Sequence, residues 1–88
     1  MAYSIVYSQS AERQLRKLDR PVAARILAFM EHVKALSNPQ STGEALHGDK
    51  LGMFWKYRVG DWRLVVSIKD SVLLIEVIEI DHRSKVYR

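Results

Sequence analysis

The chain contains no cysteine, which excludes disulfides and thiolate metal sites and fits a reducing cytoplasm. No apolar run approaches the ~20 residues needed to span a bilayer. The opening Met1-Ala2-Tyr3-Ser4 lacks the charged-then-apolar layout of a secretory signal. There is no internal repeat and no low-complexity segment. His32, His47 and His82 are scattered, and the acidic residues do not cluster at ligand spacings, so the sequence offers no metal site. These absences lead to an expectation of a cytoplasmic protein with no membrane association, no metal and no cofactor.

What is present is a short chain with a substantial apolar share. Eighty-eight residues, 48% of them hydrophobic, predict one domain over 1–88 that folds alone with modest stability. The net charge of +4 and the pI near 9.6 point weakly toward a polyanionic partner, and only the placement of the cations can strengthen that.

Tyr3, Ile5 and Tyr7 alternate with Ser4, Val6 and Ser8 and predict a first strand. From about Ser10 a helix follows, with Ala11, Leu15 and Leu18 on one face and Arg13, Arg16 and Lys17 around the rest. Asp19-Arg20-Pro21 ends it and starts another helix, since proline suits a first turn. Val22, Ile26, Phe29, Val33 and Leu36 recur at helical spacing until Asn38-Pro39. Residues 37–52, rich in Ser, Gly, Asn and Pro, read as a loop. Three strands follow, near 53–59, 62–68 and 72–80. The fold class expected is α+β, ordered β-α-α-β-β-β, an antiparallel sheet with both helices packed on one face.

Register then places the charges. Gly60-Asp61 suits a two-residue hairpin turn. It pairs Val59 with Trp62, Arg58 with Arg63, Tyr57 with Leu64 and Lys56 with Val65. Directly paired residues share a face, so Trp55, Tyr57, Val59, Trp62, Leu64 and Val66 form an apolar side for the helices. Lys56, Arg58 and Arg63 gather on the other side. Two arginines opposed across a ladder repel, which is tolerable where an anion such as phosphate sits between guanidinium forks. A second turn with Lys69-Asp70 at its tip would pair Ile68 with Ser71, Leu64 with Ile75 and Arg63 with Glu76, so that Glu76 partly neutralises Arg63. After Ile80, Asp81-His82-Arg83-Ser84-Lys85-Val86-Tyr87-Arg88 is too polar for a core strand and collects versatile side chains.

These residues resemble the RelE-type toxins of the RelE/ParE superfamily of bacterial toxin–antitoxin modules. The resemblance covers nearly the whole chain. It runs through the early strand and helices, Leu46-His47-Gly48, the Tyr57-Arg58-Val59-Gly60-Asp61-Trp62-Arg63-Leu64 hairpin, and the closing His82-Arg83-Ser84-Lys85-Val86-Tyr87. The hairpin turn is shorter than in the best-known members, as is the stretch between Arg83 and Tyr87. The family cleaves mRNA in the ribosomal A site and is silenced by a co-expressed antitoxin. The resemblance therefore implies a cognate antitoxin, mRNA and the ribosome as partners, with operator DNA reached only through the antitoxin complex.

It also implies roles. Lys56 matches a catalytic lysine, Arg58 a position where many members carry a second lysine, and Arg63 the arginine that contacts the scissile phosphate. Arg83 matches the tail arginine and Tyr87 the near-terminal tyrosine, while His82 precedes that arginine as in many relatives. RNA supplies its own nucleophile, the ribose 2′-OH, so the protein needs a base, cations and an acid. Arg63 would stabilise the transition-state phosphate beside Lys56 and Arg58. Arg83 would be acid or clamp, Tyr87 or a lysine the base, and His82 a second candidate base with a better intrinsic pKa. The product would carry a 2′,3′-cyclic phosphate.

Plainer readings stand beside these. Lys56, Arg58 and Arg63 can be solvated surface charges, Tyr87 a packed or frayed end, and His82 a surface histidine. The basic first helix can be a solvated face or a contact for ribosomal RNA. Two other functions stay open: a ParE-like inhibitor of DNA gyrase, and an inactive toxin-like binding module.

Overall fold

The computed structural model describes residues 3–45 and 54–82. Its elements are β1 (Ser4–Tyr7), α1 (Gln9–Lys17), α2 (Arg20–Ala35), β2 (Glu44–Ala45), β3 (Phe54–Val59), β4 (Trp62–Lys69) and β5 (Leu74–His82). A 3₁₀ turn at Pro39–Ser41 precedes β2, and another at Asp70–Val72 joins β4 to β5. The five strands form one sheet in the order β1-β5-β4-β3-β2. Among the described residues no helix is long and apolar enough to cross a membrane.

The two helices form where periodicity places them. Ser8 caps α1 by accepting a hydrogen bond from the Ala11 N–H (3.0 Å), which satisfies one of the amides that a helix start leaves over. Pro21 opens α2, and Leu36 closes it in extended conformation. The buried stripe of α2 is Ile26, Met30 and Val33, with Val22 and Phe29 packed at its margin. It meets the sheet through Tyr57, whose ring stands edge-on to Phe29 at 5.4 Å. Tyr57, Leu64, Val66, Ile75, Val77 and Ile80 complete the core. Each of these large apolar side chains stabilises the fold by about 1.5–3 kcal/mol. The helices cover this face alone, so the opposite face of β3, β4 and β5 carries the polar side chains.

The first hairpin has the expected register: Val59↔Trp62, Arg58↔Arg63, Tyr57↔Leu64 and Lys56↔Val65. Gly60 carries φ 59° while Asp61 stays at negative φ, the type II′ pattern whose twist suits adjoining antiparallel strands.

Four features depart from expectation. First, β1 lies parallel to β5 (Ile5↔Ile75, Tyr7↔Val77), because the two helices carry the chain back over the sheet to an edge. Second, Glu44–Ala45, inside the segment read as loop, pairs with Lys56 and Trp55 as β2. Third, the second turn is not tipped at Lys69-Asp70. Residues 70–72 make a 3₁₀ turn and Leu73 takes a left-handed conformation, φ 51°. β1 holds this turn: Tyr3 donates to Asp70 Oδ1 (2.7 Å) and the Ser4 N–H to the Leu73 carbonyl (2.8 Å). Lys69 pairs with Leu74 and Ser67 with Glu76, so Glu76 does not stand beside Arg63. Fourth, β5 runs on through Asp81 and His82, polar residues that a strand accommodates because alternate side chains find opposite faces.

A β-bulge accounts for the last of these. Val65 pairs with Glu79 but Val66 with Val77, which leaves Ile78 without a counterpart on β4. The extra residue reverses the alternation of β5. Ile75 and Val77 point to the core before it and Ile80 after it, so Glu79 and Asp81 face away from the helices. Ser8 pins the bulge, because its hydroxyl donates to the Ile78 carbonyl at 2.6 Å.

Candidate functional site

The helix-free face carries three cations of the expected site. Lys56 and Arg58, two residues apart on β3, and Arg63 across the ladder on β4 project from it together. With Gly43, Glu44 and Tyr57 they line a shallow concavity of about 70 Å³. Arg58 is exposed, Lys56 and Arg63 are half-buried, and the Nε of Arg63 is fully buried. Three of the six residues expected in the site are therefore brought together.

Two hydrogen bonds hold the floor of the concavity. The Tyr57 hydroxyl donates to the Pro39 carbonyl at 2.5 Å and the Trp55 indole to the Thr42 carbonyl at 2.7 Å, which ties the segment before β2 onto β3. Gly43 then takes φ 83°, and a β-carbon there would lie 2.5 Å from the Lys56 carbonyl oxygen. Only glycine allows that approach, and it sets Glu44 directly opposite Lys56. Burial, with a smaller contribution from Tyr3, pushes the Tyr57 phenol up to about 12, so it is a fixed neutral donor at physiological pH.

Carboxylates border the cations on both sides. Glu44 faces Lys56 from β2, and Asp81 faces Arg63 from β5, with Glu79 two residues before it. Burial and a hydrogen bond shared with Asp81 push the Glu79 carboxyl above its ordinary value. None of these acids was expected in the site. Glu44 depends on the conformation of Gly43, and Asp81 on a bulge that periodicity alone does not announce.

His82 stands elsewhere. It pairs with Trp62 on the helix-covered face, with ring centroids 5.1 Å apart and planes at 81°. There it lines a separate pocket of about 160 Å³ with Val22, Arg25, Val59, Gly60, Asp61 and Trp62. The structure thus does not gather His82 with Lys56, Arg58 and Arg63; the sheet lies between them. Arg83 and Tyr87, like His47, lie outside the described residues.

Two helices on one face of a five-stranded sheet, with a cationic concavity on the other, define a small toxin scaffold of the RelE/ParE type. Residues 5–87 match the family described as the ParE toxin of the type II toxin–antitoxin system, parDE. The chain is 34% identical over 86 residues to Toxin RelE of Mycobacterium tuberculosis, covering 98% of this chain and 87% of that protein. It is 28% identical to Toxin RelG of the same organism, over 100% of this chain and 99% of that one. Among solved structures, the RelBE2 toxin–antitoxin complex from Mycobacterium tuberculosis superposes with a TM-score of 0.81 at 25% identity, covering 96% and 94% of the two chains. The chain belongs to the ParE toxin family and is a RelE-like toxin component of a type II toxin–antitoxin system.

Proposed function

We propose that the chain is a metal-independent endoribonuclease that cleaves mRNA in the ribosomal A site and so arrests translation in the cytoplasm. The observation that carries this reading is the placement of Lys56, Arg58 and Arg63 in one concavity on the uncovered face of the sheet. A phosphodiester entering it would meet two guanidinium groups and an ammonium, which suits a phosphate gaining charge in the transition state. The 2′-oxygen attacks the adjacent phosphorus, the bond to the 5′-oxygen breaks, and a 2′,3′-cyclic phosphate remains. The base takes the 2′-OH proton and an acid protonates the departing 5′-oxygen. Arg63 holds the phosphate with Lys56 and Arg58 beside it. Arg83 and Tyr87 enter this scheme through the family resemblance, Arg83 as acid or clamp and Tyr87, or a lysine in its place, as base. His82 drops out of proton transfer at the phosphate because it occupies the other face of the sheet.

A cognate antitoxin is the second part of the proposal, supported by the likeness to a toxin solved in a toxin–antitoxin complex. Operator DNA would be met only through that pair. The two relatives are named Toxin RelE and Toxin RelG, and no feature of the site favours the gyrase alternative.

The test is to express the wild type and Arg63→Ala and map mRNA 5′ ends on translating ribosomes. Cuts inside translated codons, lost in the variant, support the nuclease. Intact mRNA accompanied by gyrase-linked DNA breaks supports the ParE-like reading, and absence of any growth effect supports an inactive binding module.

A further inference from the structure

The acids bordering the cation cluster have no part in the reaction as proposed. Arg58, Arg63 and Asp81 form one row across β3, β4 and β5. All three project from the helix-free face, because their counterparts one residue away, Tyr57, Leu64 and Ile80, point into the core. Directly opposed residues on a face have β-carbons about 4.5–5.5 Å apart. Arg63 therefore meets a like charge on one side and an opposite charge on the other. Repulsion from Arg58 and attraction to Asp81 act on its guanidinium in the same direction, without a closed ion pair between Arg63 and Asp81. The partners also differ in freedom: Arg58 is exposed, whereas Arg63 is half-buried with its Nε fully enclosed. The arrangement exists only because Ile78 shifts the phase of the strand.

We infer that Asp81 is a positioning residue that sets the Arg63 guanidinium at the border of the concavity for the transition-state phosphate, while the exposed Arg58 gathers RNA in the ground state. The inference rests on the nuclease reading. It separates two arginines that composition makes equivalent: Arg63 acts on the rate of cleavage, Arg58 on affinity.

Single-turnover cleavage on programmed ribosomes, with ribosome affinity measured separately, tests it for the wild type, Asp81→Asn, Asp81→Glu, Arg63→Ala and Asp81→Asn combined with Arg63→Ala. Asp81→Asn slows cleavage about 10- to 100-fold, as a misplaced catalytic group does. Affinity holds or tightens, because a negative charge beside the cluster is gone. Asp81→Glu recovers most of the rate. In the Arg63→Ala background Asp81→Asn adds almost nothing, the signature of two residues acting as a unit. Asp81→Thr, a β-branched residue suited to an exposed strand, repeats the measurement should Asp81→Asn melt early. Equal rates in the wild type and Asp81→Asn overturn the inference while leaving the nuclease intact. So does the same fold-loss in both backgrounds, or rate and affinity falling together. A wild type that leaves mRNA uncut overturns both.

Discussion

Single residues decide the shape of this site more than any motif does. Gly43 is the sharpest case, since its left-handed backbone and the 2.5 Å approach of an added β-carbon to the Lys56 carbonyl leave no room for a side chain. Gly43→Ala should destabilise the fold by about 2–4 kcal/mol through strain and overpacking, read from urea or thermal unfolding. Tyr57 makes the alkaline limit. Its folded pKa lies near 12 against about 10 unfolded, so the unfolded chain releases its proton first as pH rises. The stabilisation from a protonated phenol is complete below pH 10 and is lost by about 2–3 kcal/mol as pH climbs through 12. Tyr3, hydrogen-bonded to Asp70, and Tyr7, partly buried, are raised too and act in the same direction. Tyr57→Phe should flatten the alkaline limb of a stability–pH curve while costing about 1–3 kcal/mol at neutral pH, because the Pro39 carbonyl loses its donor. At this scale the sequence was partly readable. The opposition of Arg58 and Arg63 follows from Gly60-Asp61 alone, whereas Glu44 does not, because nothing in a Ser- and Gly-rich stretch signals a two-residue strand. The face of His82 was hidden for a different reason, the bulge upstream of it.

Among the elements, those whose geometry is local were predictable and those settled by tertiary contact were not. Both helices obey their periodicity and punctuation, and the first hairpin obeys its turn. The second turn obeys β1, which binds Asp70 and the Leu73 carbonyl from across the sheet, and a Lys-Asp pair could not reveal that. β5 likewise takes its phase from Ser8, whose hydroxyl serves the Ala11 amide and the Ile78 carbonyl together. Ser8→Ala removes a helix cap and leaves a carbonyl without that donor, so a loss of about 1–3 kcal/mol is expected in chemical denaturation. Because α1 and the bulge share this anchor, hydrogen exchange should rise in both segments of the variant.

Taken whole, the molecule is a two-sided slab, with both helices on one side and the concavity of Lys56, Arg58 and Arg63 on the other. That division was expected from alternation and is what the structure has. Its electrostatic consequence is measurable: binding to single-stranded RNA should weaken log-linearly with salt, and Arg58→Ala should reduce the slope by about 0.7, the contribution of one phosphate contact to a single strand. Fluorescence anisotropy across a salt series checks this, and an unchanged slope would mean that Arg58 touches no phosphate. The bulge gives the slab a further property. Ironing out the bulge at constant length would carry the carboxylate of Asp81 to the helix side and the imidazole of His82 to the open side, whereas deleting Ile78 joins Val77 to Glu79 in plain alternation and leaves Asp81 opposite Arg63. Which surface of this fold bears the acid and which the imidazole is therefore decided by whether one residue is looped out of the ladder, not by which residues are present.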